Sequence, residues 1–300
     1  MPELPEVETI RLGLAAHVVG RRIEHVEVLH PRAVRRQAGG AVDLISRLRG
    51  LTITDVRRRG KYLWLNAGDG GSSADDWAVV IHLGMSGQLL IAEPGAPDEV
   101  HLRIRLNLAP NSDATSTPVE LRFVDQRTFG GWFIDDWAID AAGVRLPETI
   151  AHIAPDPFEP SYDQAQVIAR IRAKHTEIKR VLLDQTVISG VGNIYADESL
   201  WRARLHGTRV TDRISRPKLT ELLDAVADVM REAIAVGGTS FDELYVNVNG
   251  QSGYFDRNLH SYGRHGRPCP RCGTLIVREQ FMNRGSHFCP KCQPPPRSRR

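Results

Sequence analysis

The sequence predicts an α+β chain of several domains: a β-rich N-terminal domain carrying two helices, a helical C-terminal domain, and a terminal four-cysteine tip. Three observations lead to this. The first half alternates polar and apolar residues with the period of strands, and beyond about residue 160 the spacing becomes helical. All four cysteines fall within the last thirty-two of 300 residues. A chain of that length exceeds one average domain.

The first element is a helix opening at Pro5, with Val7, Ile10 and Leu14 on one face; a proline suits a first helical turn because its missing N–H would have no partner there. Strand-like runs follow at Ile23–Leu29, Leu51–Val56, Tyr62–Leu65 and Trp77–Leu83, with a second helix over about Ala41–Leu48. The clearest alternation is His101–Leu108, repeated at Val119–Phe123. Segments 68–76 and 110–118, rich in Gly, Ser, Asp, Asn and Pro, read as hairpin loops. After a Pro-containing connector, Ala141–Pro160, helices are expected at Gln164–Ile171, Glu177–Asp184, Asn193–Trp201 and Lys218–Val236. Gly237-Gly238 supplies the last C-cap.

The composition, 41% hydrophobic and 25% charged, is that of a globular protein. No run of about 18 apolar residues and no secretion-type leader is visible, so a cytoplasmic location is expected. The net charge of +3 is unevenly spread. Nine Lys/Arg stand against Glu279 alone from Ser261 to Arg300, and nine against Asp43 and Asp55 from Pro31 to Lys61. Such clusters fit a polyanion contacted at particular faces, or simply solvated surface.

Cys269, Cys272, Cys289 and Cys292 are spaced C-x₂-C-x₁₆-C-x₂-C, within the range of zinc ribbons and fingers. Four thiolates fill a tetrahedral site, so the expected ion is one structural Zn²⁺ with no open position for catalysis.

The N-terminus, Met1-Pro2-Glu3-Leu4-Pro5-Glu6-Val7-Glu8, carries the most chemistry. A second residue as small as proline permits removal of Met1, leaving Pro2 as a secondary amine. Terminal amines titrate near 8, about two pH units below lysine, so a neutral nucleophilic fraction exists at physiological pH. Attack on a sugar C1′ would give an iminium that is cationic without a further proton, an electron sink for breaking C–O bonds to phosphates. Glu3 stands beside it as a general acid if burial raises its pKa. Taken alone, these residues read sooner as a helix N-terminus with stabilising carboxylates than as a nucleophile and its acid.

Five motifs in order resolve that choice. They are the N-terminal octapeptide, His82-Leu83-Gly84-Met85-Ser86-Gly87, Asp125-Gln126-Arg127-Thr128-Phe129-Gly130, Gly190-Val191-Gly192-Asn193-Ile194-Tyr195-Ala196, and the Cys₄ module. From Pro2 to Cys292 the chain resembles bacterial formamidopyrimidine-DNA glycosylases. The resemblance implies an N-terminal β-sandwich with two helices over 2–140, a linker at 141–160, and a helix–two-turn–helix DNA-binding domain over 161–260. It places a lesion-capping loop at 237–256, a zinc finger at 261–293 and a disordered tail at 294–300.

It also implies roles. Pro2 is the Schiff-base nucleophile and Glu3 the acid assisting sugar opening. Lys61 donates a proton in β-elimination, and Arg284, on the zinc hairpin, grips phosphates and serves δ-elimination. Met85, Arg127 and Phe129 fill the gap left by an extruded base. For Met85 and Phe129 the residues alone also allow core packing, but each follows a strand and adjoins a glycine turn, which favours an exposed loop tip. Asn193, with backbone N–H groups at its helix start, grips a phosphate, and Lys174 and Lys179 belong to the same DNA surface. Two departures stand out: Thr128 where the family often has a second basic residue, and Glu99 where many members carry a DNA-contacting histidine. His101 is the remaining candidate there.

The implied reaction is excision of oxidised purines (8-oxoguanine opposite cytosine, formamidopyrimidines) from double-stranded DNA, with lyase action at abasic sites, by a monomer. An endonuclease VIII-like enzyme for oxidised pyrimidines is the nearest alternative; Leu4, the Met85/Arg127/Phe129 set and the full-length 237–256 segment favour the purine branch. A non-catalytic zinc-ribbon DNA-binding protein is the alternative of a different class, and the presence of both Pro2 and Glu3 argues against it.

Overall fold

A computed structural model describes residues 2–69, 77–111, 116–239, 247–250 and 255–296. They fall into two compact units, one of 1–152 with 237–253, the other of 153–236 with 254–300.

The first unit opens with α1 (Leu4–Val18), which buries Leu4, Val7, Ile10, Leu14 and Val18. Strand β1 (Ile23–Val28) follows, then a short 3₁₀ helix (Pro31–Val34) and α2 (Gly40–Leu48). Next come β2 (Thr52–Arg59), β3 (Tyr62–Gly68), β4 (Trp77–His82), β5 (Gly87–Ala92), β6 (Leu102–Leu108), β7 (Val119–Asp125), β8 (Gly131–Ile139) and β9 (Arg145–Pro147). They form two antiparallel sheets, ordered β1-β6-β7-β5 and β2-β3-β4-β8-β9. The β-sandwich is borne out. Ile104, Leu106, Leu121 and Phe123 from one sheet and Val56, Leu63, Val79, Ile81 and Trp132 from the other share one core, closed by α1 and α2. The strict alternation of β6 has its cause here: Leu102, Ile104, Leu106 and Leu108 are buried and the residues between them are partly exposed.

Strands β5, β8 and β9 were not anticipated. Gly87 opens β5 in an apolar run without alternation, and β8 carries Asp135-Asp136 amid Trp132, Phe133, Ile134 and Trp137. β9 and a 3₁₀ turn (Glu148–Ile150) lie inside the expected connector 141–160.

The second unit carries α3 (Gln164–Ala173), α4 (Ile178–Leu182), α5 (Asn193–Arg202) and α6 (Arg216–Ala235). A hairpin of β10 (Val277–Phe281) and β11 (Arg284–Phe288) closes it. Helix α6 ends at the two expected glycines, Gly237 and Gly238, at φ +81° and +85°. Of the expected capping loop, residues 240–246 and 251–254 lie outside the described residues, as do Met1, much of loops 68–76 and 110–118, and 297–300 of the tail.

Candidate active-site residues and metal centre

Pro2 and Glu3 are both buried, with Glu3 at 4% exposure. The Glu3 N–H donates to Glu6 Oε2 at 2.9 Å. The other oxygen of Glu6 accepts from both the backbone N–H and the hydroxyl of Thr239, each at 2.9 Å. A buried carboxylate must be compensated in this way, and three donors do so. Glu6 thereby ties the N-terminal turn to the chain 233 residues later, a link not anticipated from the sequence. Lys61 is the second of two turn residues between β2 and β3; Gly60 before it, at φ +54°, takes the position where a tight hairpin turn needs positive φ.

Met85, Arg127 and Phe129 are brought together. Met85 (39% exposed) and Phe129 (41%) project from adjacent loops, as expected for tips rather than core. The Arg127 guanidinium carbon lies 4.8 Å from the centre of the Phe129 ring. Buried Asp125 organises both loops. It accepts from the Ser86 hydroxyl at 2.5 Å, from the Arg127 N–H at 3.2 Å and from the Gly130 N–H at 2.8 Å. The loops touch so closely that a Cβ on Gly84 would stand 2.5 Å from the Gly130 nitrogen. Ser86 and Asp125 lie within two of the sequence motifs, yet their bracing role shows only in the folded chain.

Beneath these loops, burial and the neighbouring Arg36, Arg35 and Lys61 charges push the His82 pKa down to about 4. Its neutral ring accepts the Gly84 N–H at Nδ1, 3.2 Å away. A histidine whose folded pKa lies below its unfolded value near 6.5 loses stability as pH falls between the two, because only the unfolded chain takes the proton there. Wild-type protein should lose about 2–3 kcal/mol more than His82→Gln between pH 6.5 and 4, at about 1.4 kcal/mol per tenfold change in proton affinity. Parallel urea midpoints for the two proteins across that window would exclude this.

Other expected contacts resolve differently. Glu99 pairs with buried Arg122 at 3.2 Å, so the departure from the family pattern serves an ion pair inside the first unit. His101 lies against Arg103, 3.3 Å from its guanidinium. The basic run 57–59 is neutralised: Arg57 pairs with Asp55, Arg58 with Glu8, and fully buried Arg59 with Asp140. Arg58 and Arg59 are thereby withdrawn from the surface, while Arg57 stays exposed beside Asp55.

In the second unit, Lys174 is partly exposed and paired with Asp184 at 3.0 Å. Lys179, expected on the DNA surface, is corrected to an internal strut. It is fully buried, 2.5 Å from Asp197 and 2.8 Å from the Ser286 hydroxyl, with its ammonium 5.4 Å from the Phe281 ring centre. Asn193 begins α5 and donates its amide to the Gly285 carbonyl at 2.9 Å, beside Arg284. Arg284 is exposed directly after the hairpin turn Met282-Asn283, whose φ values of +47° and +61° are those of a turn with both central residues left-handed. The neighbouring carboxylate Glu198 collects the N–H groups of His260, Ser261 and Tyr262 at 2.7–3.0 Å. Helix α5 thus fastens both the entry to the tip and its last strand.

The sulfur atoms of Cys269, Cys272, Cys289 and Cys292 all lie within 4.8 Å of one another, those of Cys272 and Cys289 at 3.5 Å. Tetrahedral zinc with Zn–S bonds of about 2.3 Å sets sulfurs about 3.8 Å apart, so the donor set fits. The Trp201 indole N–H donates to Cys269 Sγ at 3.4 Å and the Cys292 N–H to Cys289 Sγ at 3.4 Å, as suits thiolate ligands. The tip holds one structural zinc, its ligands packed against Trp201 and Ile276.

Three family profiles match the chain: the formamidopyrimidine-DNA glycosylase N-terminal domain over residues 1–132, its H2TH domain over 153–244, and the zinc finger found in FPG and IleRS over 266–295. A formamidopyrimidine-DNA glycosylase of Rhodococcus jostii is 58% identical over 297 residues, 99% of this chain and 97% of that one. A second, from Salinispora tropica, is 59% identical over 99% and 98%. Among solved structures, a Lactococcus lactis Fpg variant in complex with Fapy-dG containing DNA superposes with a TM-score of 0.83 at 32% identity, covering 98% of this chain and 100% of that one. The Lactococcus lactis Fpg complex with abasic-site DNA gives 0.81 at 32% identity, covering 97% and 99%. With profiles along most of its length and relatives at this identity, the chain belongs to the formamidopyrimidine-DNA glycosylase family.

Proposed function

We propose that the protein is a bifunctional DNA glycosylase and abasic-site lyase of base excision repair, acting as a monomer in the bacterial cytoplasm. Its substrate is double-stranded DNA carrying 8-oxoguanine opposite cytosine, formamidopyrimidines or abasic sites. The observation that carries this reading is a proline at position 2, buried next to a buried glutamate and held at a helix start by Glu6.

The Pro2 nitrogen lone pair forms a bond to C1′ as the base leaves with the electrons of its glycosidic bond. The resulting ammonium passes its proton to the departing base, which frees a lone pair on the nitrogen; Glu3 supplies a proton to O4′ as the C1′–O4′ bond opens, and that lone pair completes the iminium. Loss of a C2′ proton into that electron sink expels the 3′ phosphate, and a second elimination expels the 5′ phosphate. Lys61 and Arg284 assist the two departures. Met85 and Phe129 occupy the space of the extruded nucleotide, and Arg127 addresses the orphaned base. Asn193 steadies the hairpin that presents Arg284, and Lys174 adds charge toward the backbone. His101, half-buried beside Arg103, stays a candidate contact.

Sodium borohydride reduction on an 8-oxoguanine duplex tests the reading in one gel, since it reduces an iminium to a stable amine. A covalent protein–DNA band is expected, and binding without trapping would leave only a damage-binding protein. The same duplex with dihydrothymine or thymine glycol in place of the purine separates the endonuclease VIII-like alternative.

Two further outcomes follow from the loops and the tip. An arginine fork matches O2 and N3 of cytosine but meets a donor on adenine, a difference of about 1–3 kcal/mol. Arg127→Ala should therefore shrink the ratio of single-turnover rates opposite cytosine and adenine by about 10-fold or more; equal slowing opposite all four bases would reduce Arg127 to a binding charge. Elemental analysis should find one zinc per chain, and chelation should weaken duplex binding while leaving the first unit's unfolding transition in place. Metal-free protein that binds DNA unchanged would refute a mechanical role for the tip.

A further inference from the structure

Within the Pro31–Lys61 basic cluster, Arg32, Arg35 and Arg36 stand on and just after the 3₁₀ helix Pro31–Val34. Two of these guanidinium groups turn to the loop that carries Arg127 and Phe129. Arg35 donates through Nη1 to the Gly130 carbonyl at 2.7 Å and the Thr128 carbonyl at 3.3 Å, and through Nη2 to the Phe129 carbonyl at 2.8 Å. Arg32 donates through Nε to the Thr128 carbonyl at 3.3 Å. On the opposite side Asp125 takes the N–H groups of Arg127 and Gly130. The loop is therefore bonded on both edges, its N–H groups to a carboxylate and three successive carbonyls to guanidinium groups.

Apolar packing does not do this job. Phe129 is 41% exposed, and a pocket lined by Phe129, Gly130, His82 and Arg36, among others, lies behind the loop. Thr128 sits at φ +53°, a conformation a β-branched residue adopts only when its surroundings impose it. The 3₁₀ helix is close enough that a Cβ on Gly131 would stand 2.7 Å from the Ala33 carbonyl oxygen.

We propose that Arg35, assisted by Arg32, is a positioning residue that presets the Arg127–Phe129 wedge before DNA arrives. Opposing-base readout then costs no loop ordering on binding. The fork is needed as well as the charge, because an ammonium cannot reach three carbonyls in one plane. The functional half of this inference rests on the glycosylase reading, while the structural half does not.

The test compares wild type, Arg35→Ala and Arg35→Lys. Hydrogen exchange at amides 127–130 of the free protein is read first, and should accelerate about 10-fold in both variants while the thermal midpoint stays within about 2 °C. Single-turnover excision of 8-oxoguanine should fall about 10-fold opposite cytosine with a narrowed cytosine-to-adenine ratio, and cleavage at a preformed abasic site should stay within about 2-fold. The slope of log K against log salt should be unchanged. Unaltered exchange in both variants would overturn the proposal whatever the enzyme's activity. So would full recovery by lysine together with a slope reduced by about 0.9 in the alanine variant, the signature of a plain phosphate contact. A wild type without excision activity would count against the glycosylase reading instead, leaving the exchange result to decide the clamp.

Discussion

Replacing Pro2 by glycine should slow 8-oxoguanine excision by about 10³-fold or more, roughly 4 kcal/mol of barrier, while damaged-duplex binding changes little. The secondary amine gives an iminium whose positive charge is permanent. A glycine amine gives an imine that must be protonated to draw electrons, and it lacks the ring that fixes the lone pair's direction. An added residue ahead of Pro2 turns the amine into an amide, and borohydride trapping should then vanish altogether. The surroundings sharpen the contrast. Pro2 and Glu3 are buried, and the Glu3 N–H is already committed to Glu6, so the variant keeps the helix start and loses only the secondary amine and its ring. Single-turnover rates beside equilibrium binding on the same duplex make the measurement. Full excision by a Met1-retaining protein would show that the nucleophile lies elsewhere.

The second large effect is on stability. Lys179→Ala should cost about 3–5 kcal/mol, because it strands a carboxylate that is 1% exposed and matched to a fully buried ammonium. Asp197 would keep the Ser286 hydroxyl at 3.1 Å and the His287 N–H at 2.8 Å, with the His287 Nδ1 3.5 Å away. The loss should appear in the transition of the second unit and loosen strand β11, which carries Arg284. Replacing Lys179 and Asp197 together by apolar residues of similar volume should recover most of it, since the pair's desolvation cost disappears with its attraction. Denaturant midpoints of the three proteins decide the matter, and a single variant within about 0.5 kcal/mol of wild type would mean that the pair is solvated. A surface phosphate contact would behave in the opposite way, sparing stability and lowering the salt slope.

Much is legible in the sequence alone, and each legible feature is a short-range signal. Helix α1 announces itself by Val7, Ile10 and Leu14 at helical spacing, β6 by its strict alternation, and the tip by two Cys-x₂-Cys pairs. Met85 and Phe129 could be read as exposed tips because a glycine turn beside a strand end leaves a side chain no core to enter. Each feature depends on residues within a few positions of one another, where backbone geometry converts sequence distance directly into direction. The tertiary structure alone decided what each charge does. Lys179 and Arg59 look like solvated cations in the sequence and are fully buried in partnership with Asp197 and Asp140, 18 and 81 residues away. Glu6 finds Thr239, and Arg35 finds the wedge loop 94 residues on. Strand β8 was hidden for a related reason: the adjacent Trp132 and Phe133 are both buried while the rest of the strand is partly or fully exposed, so its sequence carries no alternation. Burial and ion pairing are set by which distant segments fold against a residue, and a one-dimensional pattern of charge and hydropathy carries no record of that neighbour.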